Sequence, residues 1–198
     1  MNRFEQSLVS NMGSFGLDLP AETITRLGDY YSLLTRWNDR LHLVAPCSPE
    51  EFAVRHVLES LILLQHLPPH ATVADIGSGG GLPIIPCLIA RPDLEAKLIE
   101  SSQKKAVFLR EASKQLNSTI IARPFEDIPA PPVSFVTCRA LDQFRQKLPA
   151  LIRWAPSGSK LLLFGGETLG EQLRRADVNF EQFLLPQSEK RYLFLTTD

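Results

Sequence analysis

A glycine-rich turn is the part of this sequence best suited to bind a ligand. The stretch from Val73 to Pro83 reads VADIGSGGGLP, in which an apolar run containing Asp75 is followed by Gly77, Gly79 and Gly81. Glycine lets the backbone turn sharply and approach a ligand closely, because no Cβ stands in the way. A helical stretch follows the turn, so an anionic or zwitterionic group can bind at the start of that helix.

A carboxylate follows this turn at the place where a ribose would need an acceptor. Glu100 ends the second apolar run after the turn, and a carboxylate there can accept hydrogen bonds from both ribose hydroxyls of an adenosine-type ligand. Strand, glycine loop, helix, strand and acid therefore occur in the order that a nucleoside-binding site requires.

Two classes of cofactor use this arrangement, and the loop sequence separates them. The dinucleotide fingerprint G-x-G-x-x-G needs a glycine where Leu82 stands if it begins at Gly77, and a start at Gly79 fails at Ile84. Asp75, two residues before the first glycine, suits a ligand with an amino-acid moiety and no pyrophosphate. We therefore expect S-adenosylmethionine, with a nicotinamide or flavin cofactor and a plain glycine turn as the alternatives.

Composition sets the broad class of the protein. The chain has 198 residues, of which 44% are hydrophobic and 22% charged, as in ordinary globular proteins. No run reaches the roughly 18 apolar residues that a membrane span needs, and the first residues contain no apolar signal-peptide core. Cys47, Cys87 and Cys138 lie far apart, which argues against a disulfide framework. We expect a cytoplasmic protein with no membrane partner.

Charge and histidine content limit the kinds of site. The net charge is −1, with 5 basic and 8 acidic residues before position 71, so a nucleic-acid partner would require positive charge concentrated on one face. All 4 histidines lie in the same segment. Pro68 and Pro69 keep His66 and His70 off a common helical face, and no acid pair completes a ligand set, so we expect no metal site.

Hydrophobic periodicity gives the elements that must position these residues. Residues 17–43 have helical spacing, and a second helix should begin at Ser48 with Pro49 at its first position and Glu51 as the capping glutamate. We expect residues 1–69 to form a helical extension, with the doublet Pro68-Pro69 at its boundary. Residues 70–198 then form the second domain.

The second domain alternates short apolar runs with helical stretches, which is typical of a parallel sheet with crossover helices. The predicted fold is α/β, a Rossmann-like doubly wound sheet of the class I S-adenosylmethionine-dependent methyltransferase type with an antiparallel last strand. The predicted strands are residues 72–76, 96–100, 119–122, 133–138, 160–164, 180–185 and 191–196. The predicted helices are residues 84–90, 103–116, 142–153 and 168–176.

Several motifs along the chain resemble one known family, the bacterial small-subunit rRNA guanine-N7 methyltransferases, also called glucose-inhibited division protein B. The resemblance runs from the first long helix nearly to the C-terminus. The glycine loop ending in Leu82-Pro83 is similar to the family's G-x-G-x-G-L-P, a more specific match than the glycines alone. The other matching stretches are Trp37-Asn38, Arg55-His56-Val57-Leu58-Glu59-Ser60, Glu100-Ser101 with Lys104-Lys105 and Phe108-Leu109, Arg123-Pro124-Phe125-Glu126, and Cys138-Arg139-Ala140.

This resemblance implies the site and the substrate. The cofactor would be S-adenosylmethionine, and the partner would be 16S rRNA of the small ribosomal subunit. The resemblance implies that Gly77, Leu82, Pro124, Phe125 and Arg139 contact the cofactor. With the residues argued above and the neighbouring Glu126, the full set expected to bind the cofactor is Asp75, Gly77, Gly79, Gly81, Leu82, Glu100, Pro124, Phe125, Glu126 and Arg139. Arg139 is also the predicted catalytic residue, in a positioning role. Lys104, Lys105 and Arg123 are the predicted RNA-binding residues. We expect a monomer.

The sequence departs from the family pattern in three places. Gly165 stands where the family has lysine, His42-Leu43-Val44 replaces its N-L-T, and Glu59 replaces its aspartate. These changes remove a cation and two small polar groups from positions expected around the pocket. A small-molecule methyltransferase and a cofactor-binding relative without activity therefore remain as alternatives, with a nicotinamide oxidoreductase as a more distant one.

The predicted chemistry needs little from the protein. The N7 lone pair of neutral guanine is already nucleophilic, so no general base is expected, and catalysis rests on positioning and exclusion of water. Glu59 is a candidate carboxylate to balance the positive charge left on the base.

Cys138 ends the fourth predicted strand, where cytosine-C5 methyltransferases place a nucleophile, but the family has serine there and we expect a packed thiol. The lysines and arginine of residues 104–114 could bind phosphate or simply face solvent.

Overall fold

A single twisted sheet forms the centre of the molecule. The structure is a computed structural model that describes residues 1–139 and 144–197. In these ranges seven strands pair in the order β3-β2-β1-β4-β5-β7-β6. They are β1 Thr72–Ile76, β2 Glu95–Ile99, β3 Ser118–Ile121, β4 Phe135–Arg139, β5 Lys160–Gly165, β6 Phe180–Leu184 and β7 Tyr192–Thr196.

The direction of the strands confirms the predicted topology. Strands β1 to β5 are parallel to one another, while β7 runs antiparallel to both β5 and β6. The chain starts at β1, crosses outward to β3, and returns to place β4 on the other side of β1. This reversal opens a crevice at the carboxyl ends of β1 and β4, which is where open α/β sheets bind ligands.

Helices cover both faces of the sheet and form the N-terminal region. The α-helices are α1 Arg3–Asn11, α2 Ala21–Leu41, α3 Pro49–Glu51, α4 Glu59–Leu61, α5 Ile84–Ala90, α6 Gln103–Ala112, α7 Phe144–Trp154 and α8 Glu167–Arg175. Between α3 and α4 the chain forms a π-helix, Phe52–Leu58, so residues 49–61 are one continuous helical segment of mixed geometry. π-Helices are rare and often occur at functional sites.

Two apolar clusters hold these layers together, one on each face of the sheet. The first joins the N-terminal helices to the sheet through buried residues such as Leu34, Phe52, Val73 and Phe108. The second lies beneath α7 and α8 and includes Ala74. Consecutive residues of β1 therefore face opposite clusters, as the two-residue period of a strand requires. Burial in the first cluster makes the helical extension part of the support for the sheet.

Most strand boundaries agree with the prediction to within one or two residues, while two predicted helices are shorter and one helix is added. The long helix predicted over residues 17–43 is shorter, because Pro20 is its N-cap and His42 ends it with a φ of 49°. The helix predicted to reach Leu116 ends at Ala112, where Ser113 donates through its hydroxyl to the Leu109 carbonyl. The first two residues of the helix predicted over 142–153 lie outside the described residues.

The additional helix is α1, which the sequence analysis did not predict. Its start carries a capping box, in which Glu5 N–H donates to the Asn2 side chain and the Glu5 carboxylate accepts from Asn2 N–H. The spacing N-x-x-E is the local signal that could have revealed it. The predicted cap at Ser48 is confirmed, since Glu51 N–H donates to its hydroxyl at 3.0 Å.

Candidate cofactor and active site

The glycine turn after β1 is shaped by backbone conformations that favour glycine. Gly77, Gly79 and Gly81 have φ values of 68°, 51° and 81°, a region that side chains with a Cβ rarely enter. A Cβ on Gly81 would also overlap the side chain of Ile85 in α5. The turn therefore brings bare backbone to the carboxyl end of β1, where a ligand can approach closely.

Glu100, directly after the neighbouring strand β2, holds this turn in place by accepting a backbone hydrogen bond from it. Its Oε2 accepts a hydrogen bond from Gly79 N–H at 2.8 Å, and its Oε1 accepts one from Ser102 N–H, also at 2.8 Å. The residue is 6% exposed. Each carboxylate oxygen can accept more than one hydrogen bond, so an oriented acceptor remains for ribose hydroxyls, and the predicted ribose contact stays a prediction.

A cavity of about 310 Å³ opens beside these residues. Its size is in the range of small-molecule sites, and both the glycine turn and Glu100 line it. The complete lining consists of Leu43, Val44, Ala45, His56, Gly77, Ser78, Gly79, Gly80, Leu82, Glu100, Ser101, Lys105, Arg139 and Lys147. Bare glycine backbone, a ribose acceptor and an apolar rim fit an adenosyl ligand with an amino-acid end.

Asp75 lies under the turn and does not line the cavity. It is fully buried, and neither carboxylate oxygen has a hydrogen-bond partner among the described residues. Burial raises the pKa of Asp75 well above its ordinary value, and the nearby charge of Glu100 acts in the same direction. A buried carboxyl with unfilled hydrogen-bonding capacity is a place where a ligand's polar group can bind, so the predicted cofactor contact stays a prediction.

The stretch from Pro124 to Glu126 lies behind the cavity lining, which it contacts through the side chain of Lys147. None of its three residues lines the cavity, but Lys147 does, and Lys147 Nζ lies 3.0 Å from Glu126 Oε1. The same ammonium lies 5.8 Å from the ring centroid of Phe125. Glu126 and Phe125 therefore hold a cation that the sequence analysis missed, because it comes from α7, far away along the chain.

Arg139, at the end of β4, lines the cavity and is held by the N-terminal segment. Its guanidinium lies 3.1 Å from Glu59 Oε2, donates to Ser60 Oγ at 3.3 Å and donates to the backbone carbonyl of Arg55. Its side chain is only 15% exposed, and it lies 5.5 Å from the ring centroid of Phe164. These contacts fix its direction before any ligand binds.

Glu59 does not have the role that the sequence analysis gave it. It is fully buried and absent from the cavity lining. Its other oxygen, Oε1, accepts from Arg191 Nε at 2.8 Å and lies 2.7 Å from Arg191 Nη2. With one arginine at each oxygen, Glu59 neutralises protein cations and is not placed to balance charge on a methylated base. The candidate role proposed from the sequence is wrong for this reason.

His56 is a further cavity residue that the sequence analysis did not single out as a site residue. Burial, together with the positive charges of Arg139, Arg55 and Arg191, lowers its pKa to about 4. The imidazole is therefore neutral at physiological pH, with one nitrogen able to donate and the other to accept. The motif containing Arg55 and His56 was visible in the sequence, but the place of His56 in the cavity lining, within the π-helix Phe52–Leu58, is seen only in the folded chain.

The three predicted RNA-binding residues occupy different environments. Lys105 lines the cavity, whereas Lys104 is exposed at the start of α6. The Arg123 side chain donates to the Asp127 carbonyl at 2.8 Å, in an exposed position. Lys105 is thus close enough to the cofactor cavity to contact a ligand there, while Lys104 and Arg123 lie outside its lining.

The position of the absent family lysine is closed to a larger side chain. A Cβ on Gly165 would overlap Leu169 in α8. Gly165 pairs with Tyr192 across the β5–β7 ladder, so it is one register position from Arg191. The cavity retains Lys105, Lys147 and Arg139 as cations.

Two of the three cysteines, Cys87 and Cys138, are buried. Cys138 is fully buried in β4, as expected of a packed thiol. Burial raises the pKa of Cys87, and its Sγ donates to the Ser60 carbonyl at 3.3 Å. Residues 1–139 and 144–197 contain no cluster of three or more histidine, cysteine, aspartate or glutamate side chains that could hold a metal ion.

The sheet order, the glycine turn, Glu100 and the cavity define a class I methyltransferase that binds S-adenosylmethionine. Two solved structures are similar in fold. A SAM-dependent methyltransferase from Aquifex aeolicus has a TM-score of 0.60 at 14% identity, covering 83% of this chain and 96% of the other. Magnesium protoporphyrin IX methyltransferase from Synechocystis, solved with bound SAM, has a TM-score of 0.60 at 15% identity, covering 91% and 99%.

Sequence comparison then gives the family. Residues 23–196 match the family described as rRNA small subunit methyltransferase G, and the chain belongs to it. The Ribosomal RNA small subunit methyltransferase G of Methylobacillus flagellatus is 39% identical over 143 residues, which are 70% of this chain and 69% of that protein. The protein of the same name from Sorangium cellulosum is 34% identical over 181 residues, 86% and 76% of the two chains. The resemblance predicted from the motifs is confirmed.

No helix within residues 1–139 and 144–197 is both long and apolar enough to cross a membrane.

Proposed function

We propose that this protein transfers the methyl group of S-adenosylmethionine to N7 of a guanine in 16S rRNA of the small ribosomal subunit. The observation that carries the proposal is one cavity in which the nucleoside-binding residues Gly79 and Glu100 stand together with Lys105, Lys147 and Arg139. The first two suit an adenosyl ligand, and the three cations suit a polyanionic substrate.

Chemical reasons favour N7 of guanine over an acceptor that must first lose a proton. The cofactor, when bound, supplies an electrophilic methyl group on a positively charged sulfur. The N7 lone pair forms the new bond while the sulfur–carbon electron pair returns to sulfur, so no proton moves. The protein then needs no general base, which agrees with a cavity whose histidine, His56, has a pKa lowered to about 4. An imidazole with so low a pKa is a weak base at neutral pH.

The residues of this chain have positioning roles in that reaction. Glu100 and the turn at Gly79 hold the ribose, and Asp75 binds the amino-acid end of the cofactor from beneath the turn. Arg139 lines the cavity at the end of β4, where it orients the target nucleotide. Lys104 and Arg123 bind RNA phosphates outside the cavity. Residues 1–69 act as a helical domain that supplies one wall of the site through residues 43–45.

Labelled methyl transfer tests this function directly. The purified chain is incubated with methyl-labelled S-adenosylmethionine and small subunits from cells that lack N7 methylation of 16S rRNA. We expect label in 16S rRNA at a single guanine, detected as a site that becomes cleavable after reduction and aniline treatment. Small subunits that already carry the methyl group are the matched control and should accept no label.

Two other functions give different results in the same experiment. A small-molecule methyltransferase would bind S-adenosylmethionine by calorimetry but label neither free 16S rRNA nor small subunits. A relative that lost activity through Gly165 would give the same pattern and would also label no small nucleophile. Either result would contradict the proposal. Gel filtration tests the expected monomer, and fractionation of cells tests the cytoplasmic location that a ribosomal substrate requires.

A further inference from the structure

A row of basic side chains lies on the outer surface formed by α2 and α6. These helices pack side by side, with Trp37 of α2 against Phe108 of α6 at a ring-centroid distance of 6.1 Å. We define the α2/α6 basic face as Arg26, Arg36 and Arg40 with Arg110 and Lys114. All of these side chains are at least partly exposed to solvent.

The cations of this face are available for a partner. Elsewhere in the described chain arginine and lysine often form ion pairs, as in Arg91 with Asp93 and Arg139 with Glu59. Among residues 1–139 and 144–197, no ion pair involves a member of the α2/α6 basic face. In the described residues, only Asp29 and Glu111 bring negative charge into the grooves beside it. Five cations against these two acids leave the face positive in a protein whose net charge is −1.

Helix geometry aligns the three arginines of α2. At about 100° per residue, Arg26, Asp29, Leu33, Arg36 and Arg40 fall within one stripe roughly 80° wide. From Arg26 to Arg40 the helix rises about 21 Å at 1.5 Å per residue. The stripe therefore spans a length over which a nucleic-acid strand presents several phosphates.

A groove follows this stripe between the two helices. A cavity of about 350 Å³ is lined by Arg26, Tyr30, Arg36 and Lys114, among others, and a second of about 310 Å³ by Arg36, Trp37 and Arg40. The two share Arg36, so they are parts of one groove. A concave surface with cations on both sides can follow a phosphate backbone more closely than a flat one.

The two segments that flank the groove also border the cofactor cavity. Helix α2 ends at Leu41, and the next residues, Leu43 to Ala45, line the cavity. On the α6 side of the groove, Lys105 also lines the cavity. Arg110 and Lys114 come later in the same chain segment. One strand can therefore pass from the cavity onto the α2/α6 basic face without crossing the sheet.

We propose that the α2/α6 basic face binds the phosphate backbone of 16S rRNA beside the nucleotide held in the cavity. The proposal rests on the proposed rRNA substrate and adds a surface for it away from the reacting base. A bilayer fits less well, since the only large apolar side chain of α2 and α6 that is strongly exposed in the described residues is Val107. Phosphate contacts give affinity and register without reading sequence.

Salt dependence of RNA binding tests this surface. The triple variant Arg36→Ala, Arg40→Ala, Lys114→Ala removes three phosphate contacts, so the slope of log K against log salt should become shallower by about 2 to 3. Its matched control is Arg3→Ala, Arg174→Ala, Lys160→Ala, which removes three exposed cations outside the face. The control should keep the wild-type slope. The full-length chain and unmethylated small subunits are used throughout.

Kinetics and a charge-preserving variant separate binding from misfolding. We expect KM for small subunits to rise at least about tenfold in the alanine triple variant, with kcat at saturating subunits and S-adenosylmethionine affinity unchanged. Arg36→Lys with Arg40→Lys should keep the wild-type salt slope, since point charges suffice for phosphate. Equal salt slopes for the two triple variants would overturn the proposed surface. So would a result in which the alanine triple variant loses affinity for anionic lipid vesicles but not for small subunits.

The failure of this proposal differs from that of the proposed function. If wild-type protein methylates 16S rRNA and the two triple variants behave alike, the surface is wrong and the function stands. If wild-type protein methylates no RNA, the proposed function is wrong whatever the slopes are.

Discussion

Glu59 of α4 and Arg139 of β4 form an ion pair at 3.1 Å although they lie 80 residues apart in the chain. Glu59 also holds Arg191, which follows β6 and precedes β7. One fully buried carboxylate thus ties the helical extension to the ends of two strands and directs a cavity-lining arginine. The pair therefore links distant segments of the fold and also positions a residue of the candidate site.

Replacing Glu59 tests this double role. Glu59→Gln keeps the shape but leaves two arginines without their anion, and breaking a buried ion pair from one side costs about 3–5 kcal/mol. We expect the free energy of unfolding, measured in urea, to fall by this amount. The single-turnover rate should also fall, because Arg139 loses the ion pair that fixes its direction. S-adenosylmethionine affinity should stay near wild type, since Glu59 does not line the cavity. Glu59→Asp is the control that keeps the charge and should recover part of both losses.

Arg139→Ala should lower turnover more than RNA binding. The loss of a charged hydrogen-bond donor is worth about 1.5–3 kcal/mol, which corresponds to a rate lower by roughly 10- to 150-fold at saturating small subunits. Lys104→Ala is the comparison, because its exposed side chain at the start of α6 should affect only affinity. Normal turnover of Arg139→Ala would show that the reacting base does not lie at the end of β4.

Glu100→Gln should weaken S-adenosylmethionine binding. The glutamine amide replaces one oxygen that accepts from Gly79 or Ser102 and removes the charge that strengthens bonds to ribose hydroxyls, so we expect a loss of about 1.5–3 kcal/mol. Calorimetry measures it without any RNA. Glu95→Gln, at the other end of β2, controls for the loss of a charge and should leave the affinity unchanged; equal affinities for all three proteins would contradict the ribose role.

Cys138→Ser should retain methyl transfer. The thiol is fully buried in β4, and attack by N7 forms no bond between enzyme and RNA. Labelled transfer at a rate close to wild type is expected, with Cys138→Ala as a second variant in case the serine hydroxyl lowers stability. A covalent RNA adduct trapped on the wild-type protein and absent from both variants would indicate cytosine-C5 chemistry instead.

Asp75→Asn should change how stability depends on pH. The pKa of Asp75 is raised in the folded protein, so the folded state holds a proton that the unfolded state releases above about pH 3.8. The contribution of Asp75 to stability therefore falls as pH rises, by about 1.36 kcal/mol per pH unit, up to the raised pKa. An asparagine side chain does not titrate, so the free energy of unfolding of the variant minus that of wild type should increase as pH rises above about pH 4. A constant difference would show that Asp75 is ionised in the fold.

Local patterns in the sequence are enough for the sheet and the glycine turn. The inner strands β1 and β5 are short, mostly buried runs, and the residues of β1 alternate between two buried faces, as Val73 and Ala74 do. The alternating glycines follow from backbone requirements that act within a few residues. These features could be predicted because the physical cause of each is local.

The two errors at the site come from contacts between distant segments. The sequence placed Glu59 near the reacting base, but its two oxygens are taken by Arg139 and Arg191, which come from the ends of other elements. Lys147 was missed because nothing near it in the chain marks it; it lines the cavity and contacts Glu126. Both depend on how helices pack over strands.

The sequence alone determined the strands, the glycine turn and the family, since these depend on hydrophobic period, backbone freedom and short motifs. Only the tertiary structure decided which charges are neutralised and which face a ligand. A carboxylate and a guanidinium interact strongly only when burial removes water and brings them within a few ångströms. Glu59 and Arg139 meet that condition through packing between segments 80 residues apart, and no local pattern in either segment contains that information.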